Sequence, residues 1–121
     1  METKTFPGGV TQQQIDKWTA DYGAPNEFFK VGLMPSFRDP NKKLAFYFKK
    51  PDKHVVARST SHMMSATPDM PAAKQVMVID CKIWAEAELE SDELYKDQYM
   101  MAMGTLIGES FNVPVAELAK I

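Results

Sequence analysis

Leu44-Ala45-Phe46-Tyr47-Phe48 sets five apolar residues in a row, and Lys49-Lys50-Pro51-Asp52-Lys53 follows with no glycine between. A short apolar run of this kind predicts a buried strand, here over residues 43–49, that leads straight into a helix. Alternation along the strand puts Leu44, Phe46 and Phe48 on one face and Ala45 and Tyr47 on the other. A sheet covered on one side by helices needs only one apolar face. The second face therefore meets another layer, another subunit or a ligand. Pro51 has no backbone N–H to continue a ladder and suits the first turn of a helix, where Asp52 can act as a cap.

Other elements follow from similar patterns. Thr11-Gln12-Gln13-Gln14 has the form of a capping box, and Ile15, Trp18 and Tyr22 then recur at helical spacing up to Gly23. A helix over 12–22 with one aromatic face is predicted. Residues 27–31 read as a strand, and residues 32–41, with Pro35, Asp39, Pro40 and Asn41, read as a loop or wide hairpin connection. The strand at 43–49 then pairs antiparallel with the first. Beyond Pro51 the periodicity predicts helices over 52–65 and about 71–81, with Ile83 and Trp84 as bulky anchors and residues 85–90 as an exposed linker. A long helix over 92–109 opens at Ser91-Asp92-Glu93, and a short terminal helix follows Pro114 with Val115, Leu118 and Ile121 apolar. The fold class is α+β: an N-terminal helix, a small antiparallel sheet, then a mainly helical C-terminal half. One domain is expected over 1–121, with a loose N-terminus at 1–10, helix plus hairpin at 11–51 and the helical part at 52–121.

Composition adds limits. A chain of 121 residues that is 45% apolar suits one globular domain. It has no apolar run of membrane-span length, and its first residues lack the apolar core of a signal peptide. The one cysteine, Cys81, has no internal partner, which fits a reducing cytoplasm. Net charge is −2, but residues 1–60 carry ten Lys/Arg against six Asp/Glu, and residues 61–121 carry four against ten. Lys49, Lys50, Lys53 and Arg58 are the residues a nucleic-acid regulator would use. The scatter of the lysines of residues 1–60 over helix, loop and strand ends, and a pI far below the ~9 of a dedicated binder, make solvated surface the better reading.

Candidate catalytic chemistry is sparse. His54 and His62 stand eight positions apart, too far along one helix to share a metal as an i, i+4 pair does. No motif surrounds Cys81, and the acidic run Glu86, Glu88, Glu90, Asp92, Glu93 lacks calcium-loop spacing. The expectation is a protein that is not an enzyme and needs no cofactor or metal. Nine methionines, seven of them at Met63, Met64, Met70, Met77, Met100, Met101 and Met103, point instead to irregular core filling or an adaptable binding surface.

Five segments together carry a resemblance: Thr11-Gln12-Gln13-Gln14-Ile15-Asp16-Lys17-Trp18, Phe46-Tyr47-Phe48-Lys49-Lys50-Pro51-Asp52-Lys53, Cys81-Lys82-Ile83-Trp84, Ser91-Asp92-Glu93-Leu94 and Val115-Ala116-Glu117-Leu118-Ala119-Lys120. The chain resembles small tail assembly chaperones of long-tailed phages. It departs from their pattern at Lys53, where they carry arginine, and in the added stretch at 32–41. The resemblance implies a helper in the host cytoplasm that keeps apolar helical segments of a tape measure protein soluble until the tail tube forms around them. Self-association would add avidity along such a rod. Expected partner-binding residues are Met63, Met64, Met100, Met101 and Met103, with Trp84 and Tyr95 as aromatic anchors and Tyr47 on the second face of the strand. A structural virion protein, of tail or head-tail connector, and a small nucleic-acid-binding regulator are the alternatives.

Overall fold

A computed structural model describes residues 5–111, and the expected terminal helix around Val115, Leu118 and Ile121 lies outside them. The architecture is α+β, in three layers. A three-stranded antiparallel sheet of order β3-β4-β5 forms the middle, from β3 (Phe29–Pro35), β4 (Lys43–Lys49) and β5 (Lys82–Ala85). On one side lies an N-terminal layer: a two-residue ribbon of β1 (Thr5–Phe6) and β2 (Val10–Thr11), closed by a 3-10 turn at Pro7–Gly9, then α1 (Gln12–Tyr22). On the other lie α2 (Lys53–Met63), α3 (Met70–Cys81), the short α4 (Ala87–Ser91) and α5 (Lys96–Ser110).

Local chemistry accounts for most helix starts. Gln14 N–H donates to Thr11 Oγ1 and the Gln14 side chain accepts from Thr11 N–H at 3.1 Å, the reciprocal pair of a capping box. The Asp52 carboxylate caps α2 by accepting from His54 N–H (2.8 Å) and Val55 N–H (3.0 Å), and Asp69 caps α3 through Ala72 N–H. Gly23 ends α1 at φ 114°, a conformation that L side chains rarely adopt, and its N–H donates to Thr19 O.

The strand at 43–49 has its expected bounds and pairs antiparallel with β3, Val31 opposite Tyr47 and Gly32 opposite Phe46. Leu44, Phe46 and Phe48 enter the larger core with Val55, Met77, Val78, Cys81, Leu89, Tyr99, Met103 and Ile107. Tyr47 enters a smaller one with Val10, Ile15, Trp18 and Phe29, against which Phe6, Ile83 and Trp84 also pack. The second face of β4 is thus met by the chain's own N-terminal layer.

Three expectations are corrected. The stretch read as loop from residue 32 is strand as far as Pro35, because Gly32 lets the Phe46 ring and Leu106 pack directly on the backbone: a Cβ there would stand 2.5 Å from Phe46 Cζ. Residues 82–85 form the third strand, where a bulge opposite Tyr47/Phe48 turns Ile83 and Trp84 toward the same cluster. Residues 87–91, read as exposed linker, form a helix that buries Leu89. In addition, residues 5–11, expected to be loose, carry the ribbon whose Val10 is fully enclosed.

Candidate protein-binding surface

Of the eight residues expected to bind a partner, Tyr47, Trp84, Tyr95, Met100 and Met103 lie in or against the two cores, and Met63, Met64 and Met101 belong to neither. Tyr47 is 2% exposed; its hydroxyl donates to Pro7 O at 2.9 Å and its ring lies 4.9 Å from that of Trp18. Met103 is also 2% exposed, deep in the larger core, and Met100 packs against that core from its margin. These placements correct Tyr47 and Met103 from surface anchors to core residues, since each continues an apolar face that its own chain already covers. Trp84 is half-buried under the Pro7–Gly9 turn, with Gly8 directly over its ring. Tyr95 is half-buried between Phe37 and Tyr99, with the Arg38 guanidinium 5.3 Å from its ring centre. Met101 and Met63 are half-buried. Met64, at the end of α2, is 73% exposed and alone of the set is open to solvent.

The ionisable groups with shifted protonation are engaged in holding the fold. The loop at 36–42 is locked to the helical layer by one network. Buried Ser36 donates to Glu88 Oε2 at 2.5 Å, and Tyr99 donates to the same oxygen at 2.8 Å. Phe37 N–H donates to the Tyr99 hydroxyl while the Phe37 ring stacks on the Tyr99 ring at 4.7 Å. Arg38 makes a two-point pair with buried Asp92, which also accepts from Leu94 N–H and Tyr95 N–H ahead of α5. The Arg38 bond, more than those backbone N–H groups, holds the Asp92 carboxyl down at about 2. Bonds from Ser36 and Tyr99 hold Glu88 below its ordinary range. Burial pushes the Cys81 thiol up to about 12, so it is a protonated core side chain at neutral pH and a poor nucleophile. Arg58 pairs with Asp80, and Lys49 lies 5.9 Å from the Tyr22 ring centre. Among the described residues no group of three or more His, Cys, Asp or Glu is arranged to hold a metal, and no helix is long and apolar enough to cross a membrane.

One recess beside the N-terminal layer is largely apolar. Beside β3, between the sheet and the N-terminal layer, lies a cavity of about 290 Å³ walled mainly by Phe6, Pro7, Ile15, Pro25, Phe29 and Tyr47, with Gln12, Asn26 and Lys30 also at its lining. Val31 forms its rim at 37% exposed, and Leu33, next along the same face, is 48% exposed. Phe28, Tyr22 and Phe37 are other partly uncovered aromatics of this N-terminal half. The sequence held a signal for this surface in the alternation Phe29, Val31, Leu33. The turn formers Pro35, Asp39, Pro40 and Asn41 that follow it mask that alternation. Comparison of the chain with family models, with curated proteins and with solved structures finds no match.

Proposed function

We propose that this protein is a non-enzymatic assembly chaperone, of the phage tail type its sequence resembles, that shields apolar segments of an elongated tail protein such as the tape measure. The observation that carries this reading is the largely apolar rim and cavity along β3, where the ammonium of Lys30 is turned away to Ser110 O. That surface sits on a chain whose strongest acid, buried thiol and buried hydroxyls are all committed to internal packing and bonding. A cavity with apolar walls and few convergent polar groups suits side-chain capture better than bond-making chemistry. Exposed Met64 and Met70 at the α2–α3 joint add a second, adaptable apolar contact. Self-association along an extended client belongs to the same proposal, as does the host cytoplasm as its place of action.

The test is co-expression with a tape measure protein, followed by affinity capture of this chain. A stable complex is expected, and its clean absence would overturn the reading. Mass spectrometry of purified particles then separates a helper, absent from them, from a structural virion component, present in them.

A further inference from the structure

β3 is an outer strand, and its backbone has a defined free edge. Lys50 N–H donates to Phe28 O and Ser36 N–H donates to Lys42 O, so even-numbered positions turn their backbone groups toward β4. Odd-numbered positions 29, 31, 33 and 35 therefore turn theirs outward. The Phe29 carbonyl is taken by Asn26 N–H at 2.7 Å, and Pro35 has no N–H to offer. Between these two stops, the N–H and C=O of Val31 and Leu33 have no partner among the described residues. The cavity opens beside Val31 on the face that carries both side chains. Among the described residues the one charged residue at that cavity, Lys30, has its ammonium bound to Ser110 O at 2.6 Å and held 4.6 Å from the Phe111 ring centre.

The kind of occupant follows from these groups. A helix has already spent its backbone donors and acceptors on itself and has none to give along an edge, whereas an extended strand supplies both in register. A second copy of this chain joined by the same edge would bring only Val31 and Leu33 of each to the contact. That is far less than the ~800 Å² per partner of a standard interface. It would also set two lysine-rich N-terminal halves side by side. An uncharged segment of another protein has neither difficulty, because it can add a bulky side chain that fills the cavity. We infer that β3 binds its client by strand addition: an extended, uncharged segment pairs with Val31 and Leu33 and seats one large apolar side chain among Phe6, Ile15, Phe29 and Tyr47. This inference rests on the binding-protein reading above and specifies the conformation of the segment bound.

Amide exchange followed by NMR on the full chain tests it. The probe is a capped seven-residue peptide that alternates threonine with leucine and has phenylalanine at its centre. Its control is the same peptide N-methylated at the residues facing β3. At ten times its Kd the probe should slow exchange at the Val31 and Leu33 amides about tenfold and shift Ile15 and Tyr47 resonances. The methylated control should do neither. Val31→Pro removes an outward N–H but no ladder bond, so it should keep the thermal midpoint and lose the peptide. Unchanged exchange overturns the inference, as does equal binding of the methylated peptide. Slow exchange at both amides without peptide also overturns it: if independent of concentration the chain covers its own edge, and if concentration-dependent a second copy does. A client complex that leaves both amides unprotected removes strand addition and spares the chaperone reading. Protection by the peptide with no client complex does the reverse.

Discussion

The two faces of β4 both carry apolar residues in sequence and are unequally closed in the fold. Leu44, Phe46 and Phe48 meet four helices that bring Leu89, Tyr99 and Ile107 to complete enclosure. Tyr47 meets a ribbon of four paired residues and one 11-residue helix, a layer too small to cover the sheet out to Val31 and Leu33. One face makes a core, and the other makes a core with an unfilled margin. A strand apolar on both sides therefore need not signal a missing subunit, because a modest second layer can cover most of it and leave a binding rim.

The sharpest way to break this comparison is to delete the same atoms from each side. Ile107→Ala empties a fully enclosed site and should cost about 4–5 kcal/mol, near the top of the range for such changes. Ile15→Ala removes a side chain that already borders the cavity, and about 2 kcal/mol is expected. Urea midpoints measure both, and equal losses would show the layers to be equally packed. Alanine at glycine gives a smaller contrast. Gly32→Ala forces a methyl onto Phe46 and Leu106 and should cost about 1–3 kcal/mol by overpacking. Gly8→Ala meets Trp84 at 2.9 Å and also sits at φ +80°, adding ~1–2 kcal/mol of backbone strain, but its effect should stay within the N-terminal layer. Exchange rates of α1 and α3 amides tell the two outcomes apart.

How far the sequence discloses this fold depends on the range of the interactions involved. Thr11 with Gln14, Asp52 with Val55, and the apolar run of β4 act within a few residues, and each gave its element with near-correct bounds. β5 is four residues long, follows a helix without a break and carries a bulge, so no period of two could show it. Leu89 stands among glutamates and looks solvated until the helical layer closes over it. The methionines divide by which neighbours arrive, Met103 inward and Met64 outward, and spacing alone holds no record of that. Arg38 and Asp92, 54 positions apart, are paired only by the fold.

That pair sharpens the comparison through pH. Asp92 has a folded pKa of about 2, below its ordinary value of 3.8, so it stabilises the fold above the ordinary value. The contribution fades as pH falls through about 4 toward 2. Glu88, also lowered, adds to the same slope. Urea midpoints should fall over that window, and Asp92→Asn should flatten the fall while leaving the N-terminal layer's exchange unchanged. The smallest effect concerns Cys81, buried on the closed side. A thiol reagent should label it at the rate of unfolding, and faster labelling would reveal local opening of the larger core.

Capture of the co-expressed client by a rim variant tests the central claim most directly. Val31→Lys with Leu33→Lys places two charges on the margin of the smaller core while leaving both cores intact. The variant should keep the wild-type thermal midpoint and lose the client. Retention of the client at wild-type yield would contradict the claim that this rim is the binding surface.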